Sequence, residues 1–155
     1  MIYSVDTSAL VDAWRVWYPP DTHPSLWEKI DGIAREGRLF ISDMVLEELH
    51  DRDDDLASWC DARETFLCCP SDIDVQESLR EIINAHPNLG ATIPGGKNFA
   101  DPYVIAAARV RSAIVVSHEK RTNNLNGPKI PDVCRAYGIE YRRLPDVIRA
   151  EGWRF

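Results

Sequence analysis

The sequence lacks the features that would assign it to several special classes of protein. No apolar run approaches the roughly 20 residues that a membrane-spanning helix needs. Met1 leads into an apolar segment with no basic stretch before it, so we expect no signal peptide and a cytoplasmic protein. The four cysteines include no Cys-x-x-Cys pair, which disfavours a structural zinc site. No Gly-x-Gly-x-x-Gly follows the first apolar segment, which disfavours a dinucleotide-binding oxidoreductase.

The composition is otherwise that of an ordinary globular domain, and we expect residues 1–155 to form a single one. The chain has 155 residues, of which 45% are hydrophobic, and a formal net charge of −7. That sign is unfavourable for binding nucleic acid, which depends on Lys and Arg at phosphates. The segment after residue 119 is nevertheless rich in basic residues, so a basic face beside an acidic site is compatible with the composition. These residues are Lys120, Arg121, Lys129, Arg135, Arg142, Arg143, Arg149 and Arg154.

Segments with the character of strands and of helices alternate along the chain. Apolar runs predict strands at 2–5, 39–41, 66–69, 113–117 and 139–141. Helical spacing, caps and Pro or Gly stops predict helices at 7–17, 26–35, 43–50, 54–64, 72–85, 102–111 and 131–137, and a final one from Pro145. Proline and glycine predict a loop at 86–97. This alternation predicts an α/β fold whose parallel sheet is covered by helices on both faces.

Acidic residues stand where such a fold places its chemistry. Asp6 directly follows the first strand, Glu119 follows the most apolar strand, and Asp101 opens an apolar helix. Glu48 flanks the apolar side of its helix, where an unpaired carboxylate is costly, whereas Glu47 is expected to face solvent and remains the alternative. Each acid also has an ordinary interpretation as a helix cap, a first-turn acid or a surface residue. Brought together, these carboxylates would repel unless a divalent cation joined them, which predicts metal-dependent chemistry on phosphate esters.

Further polar residues near these acids are candidates for binding substrate or orienting a ligand. The hydroxyl groups can hydrogen-bond a ligand carboxylate or a metal-bound water, the amide can orient substrate, and the cations can bind flanking phosphates. The candidates are Thr7, Ser8, Ser117, Asn98, Lys97, Lys120 and Arg121. We interpret His118 as a loop residue rather than a ligand.

The segments around the four acids resemble, in their order along the chain, those of a PIN domain, a metal-dependent nuclease fold. They are 5–10, Ser42 followed by 45–49, 100–108 and 115–119. The acids of the family fall on Asp6, Glu48, Asp101 and Glu119. One position departs from the pattern, because toxins of this type usually carry Asp, or a pair of acids, where Glu119 stands alone. The segments 18–20, 25–28 and 152–155 resemble those of a poorly characterised bacterial branch of the superfamily.

This resemblance implies a three-layer α/β/α fold with a central parallel sheet of four or five strands. It also implies an acidic pocket that binds Mg²⁺ or Mn²⁺, with Asp6, Glu48, Asp101 and Glu119 as ligands and catalytic residues, and cleavage of single-stranded RNA by a metal-activated water. Many small bacterial members, the VapC-type toxins, are partnered by an antitoxin that covers this pocket. The resemblance therefore implies the toxin of a toxin–antitoxin module, and exposed aromatic residues are compatible with a homodimer.

Two alternatives remain at this point. The first is a PIN-like binding module that retains the acids but cuts weakly or not at all. The second is a metal-dependent DNA nuclease or a phosphatase on a similar sheet. The chain has no segment for the long helical arch that flap nucleases use, and Ser8 stands where haloacid dehalogenase-type phosphatases need a second Asp. Both observations favour an RNA substrate.

Overall fold

The computed structural model describes residues 1–52, 54–90 and 96–155. Its strands are β1 (Tyr3–Val5), β2 (Leu39–Ser42), β3 (Cys68–Cys69), β4 (Ile114–Val116) and β5 (Tyr141–Arg142). Its helices are α1 (Thr7–Asp12), α2 (Pro24–Arg35), α3 (Asp43–Arg52), α4 (Asp54–Asp61), α5 (Glu64–Leu67), α6 (Ile73–Ala85), α7 (Asp101–Arg111), α8 (Ile130–Ala136) and α9 (Leu144–Ala150), and a π-helical segment, Ala13–Trp17, extends α1. Part of the loop predicted at 86–97, residues 91–95, lies outside the described residues.

The strands form one parallel sheet in the order β3-β2-β1-β4-β5. Strands β1, β2 and β4 are buried along their whole length, as expected for parallel strands that helices cover on both faces. In the register of β1 and β4, Val5 lies opposite Val116. Asp6 and Ser117 therefore leave the sheet side by side, and the Asp6 N–H donates to the Val116 carbonyl at 2.8 Å.

Two neighbouring residues of β1 define the layers on either side of the sheet. Successive side chains of a strand point to opposite faces. The Ser4 hydroxyl donates to the Val104 carbonyl of α7 at 3.0 Å, whereas the Tyr3 hydroxyl donates to Glu151, directly after α9, at 2.7 Å. Helices α7 and α9 thus cover opposite faces, and the predicted three-layer α/β/α fold is confirmed.

Helix α7 is the centre of one of these layers. Its residues Val104, Ile105 and Ala106 are fully buried, and the helix packs on β1, β2 and β4 with α6 and α8 beside it. This burial follows from the run of small and branched apolar residues in the sequence, which leaves the helix no polar face in its first two turns. Asp101 begins α7 and is therefore carried to the same edge of the sheet as Asp6.

The structure differs from the predicted secondary structure in four places. The helix predicted over 54–64 ends at Asp61, and Glu64 begins the separate helix α5. Phe66 and Leu67, which were expected in a strand, belong to helix α5, because a short apolar run can be buried equally well as helix or as strand. The helix predicted over 7–17 is α-helical only to Asp12, and the Tyr18 N–H then donates to the Ala13 carbonyl in π-helical geometry. The last strand lies at Tyr141–Arg142 rather than at 139–141.

None of the helices in the described part of the chain combines the length and hydropathy that crossing a bilayer requires.

Candidate functional site

Asp6 is buried at the point where β1 passes into α1, and its side chain is not used to cap that helix. The residue is 2% exposed and precedes α1 with an extended backbone, but its carboxylate makes no capping hydrogen bond. Instead Asp6 Oδ2 accepts hydrogen bonds from the hydroxyls of Ser8 at 2.6 Å and Ser117 at 2.9 Å. The interpretation of Asp6 as a helix cap therefore does not hold, and its carboxylate faces the end of β4.

Glu48 joins the beginnings of two helices. Its Oε2 accepts a hydrogen bond from the Thr7 hydroxyl at 2.7 Å, and its Oε1 accepts one from the Ala100 N–H at 2.9 Å. The first N–H groups of a helix have no partner within the helix, so Glu48 satisfies one such group beside α7. Its neighbour Glu47 is exposed, as expected from its position on the helix.

Of the four carboxylates, that of Asp101 has the fewest hydrogen bonds. It is 3% exposed, and its side chain has no hydrogen-bond partner among the described residues. Burial raises the pKa of Asp101 well above its usual range, and the charges of Asp6, Glu119 and Glu48 raise it further, while Lys129 acts in the opposite direction. The structure thus brings together the four acids that the sequence singled out.

Glu119 closes this group from the loop that follows β4. Its Oε2 accepts a hydrogen bond from the Ile130 N–H at the start of α8, at 3.0 Å, and its own N–H donates to the Ser117 hydroxyl at 3.1 Å. The Tyr141 hydroxyl donates to the backbone carbonyls of Ser117 and Glu119. The loop is therefore tied to both β5 and α8 where it passes the acids.

The three predicted hydroxyl residues all contact the carboxylates. Thr7 donates to Glu48, and Ser8 and Ser117 both donate to Asp6. The two serine hydroxyls also lie 3.2 Å from each other, and Ser8 accepts a hydrogen bond from the backbone N–H of His118. In this arrangement the hydroxyls fix the orientation of acids rather than face an open substrate path.

The predicted cations and the predicted amide lie around the acids rather than among them. Lys97 and Asn98 line a pocket of 530 Å³ that Glu48 also lines. Lys120 and Arg121 are exposed on the loop after β4. All of these residues are therefore placed at the rim of the site or beside it.

Sequence reasoning did not single out Asp132, and it placed Lys129 only among the basic residues of the segment after residue 119. Asp132 accepts hydrogen bonds from the backbone N–H groups of Thr122, Asn123 and Lys129, and so shapes the loop that carries Glu119. Lys129 is the cation whose charge acts on Asp101. The sequence does contain a signal for Asp132, because it directly follows Pro131, where a helix is predicted to begin, and an acid in the first turn is typical of a helix N-terminus.

His118 lies beside the acids but is turned away from solvent. Its side chain is 5% exposed, with Nδ1 3.2 Å from Asp12 Oδ2 and the ring packed edge-on against Trp17. Its Nε2 is buried with no hydrogen-bond partner in the described part of the chain. Burial lowers the pKa of His118, so that the ring is predominantly neutral near pH 7.

The chemistry of the donor set fits a hard divalent cation. Carboxylate oxygens are the protein ligands that Mg²⁺ and Mn²⁺ prefer. Burial raises the pKa of Asp6 to about 6 against the hydrogen bond from Ser8, and the charges of Glu119 and Glu48 contribute to the increase. A bound cation would neutralise the repulsion among these acids, whereas the single neighbouring lysine, Lys129, does not.

The positions of the side chains are less favourable than their chemistry. Within residues 1–52, 54–90 and 96–155, no three acidic, histidine or cysteine side chains are arranged so that they could hold one ion together. Asp6 Oδ2 and both oxygens of Glu48 are engaged in hydrogen bonds. Joint coordination would therefore require some of these side chains to turn, which for Asp101 would break no side-chain hydrogen bond among the described residues.

Three VapBC proteins of known structure share this architecture. VapBC2 from Rickettsia felis, bound to a DNA fragment from its promoter, is 19% identical with a TM-score of 0.56 over 92% of this chain and 98% of that chain. VapBC-1 from nontypeable Haemophilus influenzae is 13% identical with a TM-score of 0.56 over 94% and 99%. DNA-bound VapBC from Salmonella typhimurium is 16% identical with a TM-score of 0.57 over 92% and 98%. At these identities the similarity establishes the fold, and the predicted resemblance to a VapC-like PIN domain is confirmed at that level.

The chain belongs to the family described as domain of unknown function DUF4411, which matches residues 3–155. No curated protein matches it in sequence.

Proposed function

We propose that this protein is a Mg²⁺- or Mn²⁺-dependent endoribonuclease that cleaves single-stranded RNA and acts as the toxin of a bacterial toxin–antitoxin module. The observation that carries the proposal is the convergence of Asp6, Glu48, Asp101 and Glu119. They come from separated parts of the sequence and meet at the carboxyl end of a parallel sheet, where such folds bind their ligands. Asp6 and Asp101 are buried there, and Glu48 and Glu119 are half-buried. Buried carboxylates that repel one another destabilise a fold, so the presence of Asp6 and Asp101 side by side with two further acids suits a function that needs them.

The residues of the site have distinct roles in this proposal. Asp6, Glu48, Asp101 and Glu119 would hold the cation, which supplies Lewis acidity and a bound water of lowered pKa. Ser8 and Ser117 keep the Asp6 carboxylate in place, as partners of ligating carboxylates commonly do. Lys129, Lys120 and Arg121 lie on the segment around Glu119 and bind backbone phosphates of the substrate. No covalent intermediate on the protein is required.

The similarity in fold supports a protein partner for this chain. The similar structures from Rickettsia felis and Salmonella typhimurium are VapBC proteins bound to DNA. We therefore propose a cognate antitoxin that covers the acidic pocket. Expression of the wild-type chain without this antitoxin should arrest bacterial growth, and expression of Asp6→Asn should not. Growth arrest by both proteins would separate toxicity from the acidic site.

One observation favours a second candidate, a PIN-like module that binds but cuts weakly. The hydrogen bonds of Asp6 and Glu48 already occupy oxygens that a cation would need, and the described side chains do not surround one point. EDTA-sensitive cleavage by the purified chain would exclude this candidate.

The proposal is tested by cleavage of a mixed pool of labelled single-stranded RNA with Mn²⁺, Mg²⁺ or EDTA. We expect metal-dependent cutting by the wild type and a loss of about 100-fold or more in Asp6→Asn and Asp101→Asn, because each change removes a charged ligand. Asp21→Asn, an equal change of charge at an exposed turn, is the matched control and should cut normally. Equal rates for all four proteins, or cutting that survives EDTA, would overturn the proposed mechanism. Flap DNA and a phosphomonoester serve as competing substrates.

A further inference from the structure

We infer that the pocket beside Glu48 binds an unpaired nucleobase next to the scissile phosphate, with guanine preferred. The pocket, called here the Phe99 pocket, is lined among others by Met44, Glu47, Asn98, Phe99 and Tyr103. This inference rests on the proposed function and adds to it the part of the substrate that determines specificity.

The Phe99 pocket has the size and the walls that a base requires. Its volume of 530 Å³ lies within the range of about 300 to 1,000 Å³ typical of small-molecule sites. The rings of Phe99 and Tyr103 lie 5.6 Å apart, centre to centre, and are inclined by 44°. Met44 adds a polarisable thioether to the lining. Proteins recognise single-stranded RNA by stacking splayed-out bases on aromatic side chains of this kind.

The polar groups of the pocket favour a base that donates hydrogen bonds. Glu47 and Asp51 lie one helical turn apart on α3 and both line the pocket, where their carboxylates can only accept. The amide of Asn98 has no partner among the described residues and offers both a donor and an acceptor. Guanine presents two adjacent N–H donors on its Watson–Crick edge, which match one carboxylate, whereas uracil presents a single donor between two acceptors. The acidic lining therefore selects for guanine and against uracil.

The pocket is joined to the acidic site by the backbone that carries Phe99. The next residue, Ala100, donates its N–H to Glu48, and the Asp101 N–H donates to the Asn98 carbonyl at 3.2 Å. A base against Phe99 therefore lies next to two of the four acids, as the nucleotide adjacent to the cleaved bond must. Lys97 and Arg52 also line the pocket and supply positive charge for the flanking phosphate.

Cleavage-site mapping on the mixed RNA pool tests the inference. We expect wild-type cuts to be enriched in guanine at one fixed position beside the scissile bond. Glu47→Gln should reduce the preference for guanine about tenfold, because a bidentate acceptor is lost. Phe99→Leu should lower kcat/KM at guanine sites about tenfold, because stacking on the ring is lost.

Matched controls and a binding measurement separate this inference from the proposed nuclease activity. Glu77→Gln and Phe155→Leu make the same changes at exposed positions outside the pocket and should leave the preference unchanged. Cutting without positional preference, or a preference that both pocket variants retain, would overturn the base pocket and leave the nuclease intact. If Phe99→Leu does not fold, the base preference of Glu47→Gln, a change at an exposed position, decides whether the pocket binds guanine.

In the binding experiment the full chain in EDTA is titrated with GMP or UMP. Binding is detected by NMR from the ring protons of Phe99 and Tyr103. Perturbation by GMP, weaker with UMP and reduced in Glu47→Gln, supports the pocket even if no RNA is cut. Absence of binding by both nucleotides, as expected if the pocket accepts a segment of a partner protein, overturns it.

Discussion

At the scale of single residues, the orientation of Asp6 depends on two serine hydroxyls. Ser8 and Ser117 donate to the same carboxylate oxygen, Oδ2, and leave Oδ1 without a partner among the described residues. A carboxylate held in this way presents its free oxygen in one direction. The serines therefore act through Asp6, as positioning residues, and their removal should affect function more than folding.

The double variant Ser8→Ala/Ser117→Ala tests this arrangement. We expect a loss of about 10- to 100-fold in Mn²⁺ affinity or in cleavage, the range found when partners of ligating carboxylates are removed. Calorimetric titration with Mn²⁺ and the RNA cleavage assay measure the two quantities. Ser58→Ala, an exposed serine of α4, is the control. Unchanged metal affinity and unchanged cleavage in the double variant would show that Asp6 needs no such support.

Asp132 has a structural role, because its carboxylate accepts hydrogen bonds from backbone N–H groups of the loop that carries Glu119. Burial alone would raise the pKa of Asp132, but hydrogen bonds from Thr122, Lys129 and Asn123 outweigh it and hold that pKa below its usual value. A carboxyl group whose pKa is lower in the folded than in the unfolded chain stabilises the fold above the unfolded pKa, about 3.9 for Asp. This stabilisation is lost as the pH falls through the folded-state value.

We expect Asp132→Asn to lower the free energy of unfolding by about 1 to 3 kcal/mol at pH 7, the typical contribution of hydrogen bonds to a charged group. Denaturant unfolding between pH 7 and pH 3 should show the wild type and the variant converging at the acidic end. Asp146→Asn is the matched control, because Asp146 stands at the same position of α9 but its side chain is 48% exposed. An equal loss in both variants, or a loss that does not shrink at low pH, would contradict this account.

At the scale of elements, the sequence predicts best where burial and periodicity agree. The run Ile114–Val116 is apolar on both sides of the strand and was predicted within one residue at each end. Phe66 and Leu67 were placed wrongly, since a short apolar run carries no periodicity that separates strand from helix. The π-helical segment that follows α1 has no recognised sequence signal at all.

In the candidate site, too, features with a local signal could be predicted and contacts between distant residues could not. Asp6 and Glu48 could be found because one follows a strand and the other flanks an apolar helix face, which are local properties. The contact of Glu48 with the Ala100 N–H, and that of Tyr141 with the loop after β4, join residues far apart in the chain. Such contacts depend on how the elements pack, and no local pattern encodes them.

Gly90 packs closely against the backbone of the turn that leads into α7, and its substitution tests the importance of this contact. Gly90 has φ +69°, and a Cβ atom there would lie 2.2 Å from the Asn98 carbonyl oxygen. That carbonyl accepts the Asp101 N–H, so displacing it shifts the beginning of α7. Gly138 has a similar φ of +66° but nothing within 4 Å of the added atom.

We therefore expect Gly90→Ala to lower the free energy of unfolding by about 1 to 3 kcal/mol more than Gly138→Ala does, because both carry the backbone cost but only the first adds a steric clash. Chemical denaturation of the two variants measures the difference. Gly90→Ala should also reduce RNA cleavage, whereas Gly138→Ala should retain it. Equal destabilisation by both substitutions would show that the backbone near Asn98 yields without cost.

At the scale of the whole molecule, the acids of the candidate site repel one another, and a bound cation would relieve this repulsion. The chain carries a net charge of −7, and four of its acids repel one another at one site, where Asp6 and Asp101 are buried. A ligand that binds only the folded state stabilises it by RT ln(1 + [L]/Kd), about 2.7 kcal/mol at 100 times Kd. If these four side chains hold a cation, as we propose, metal binding and folding are coupled through them.

Two opposite shifts in thermal stability follow from this coupling. Saturating Mn²⁺ should raise the Tm of the wild type by about 5 to 10 °C, at roughly 2 to 4 °C per kcal/mol for a chain of this size. Asp101→Asn should lose most of that increase, because one ligand is gone. It should nevertheless melt at a higher temperature than the wild type in EDTA at pH 7, because burial and the charges of neighbouring acids raise the pKa of Asp101, and folding a carboxyl with a raised pKa costs free energy at any pH above its unfolded value. Asp21→Asn should behave as the wild type in both conditions. A metal-induced increase that persists in Asp101→Asn would place the bound ion elsewhere. A lower Tm of this variant in EDTA would mean that the Asp101 carboxylate stabilises the fold and is not held there at a cost.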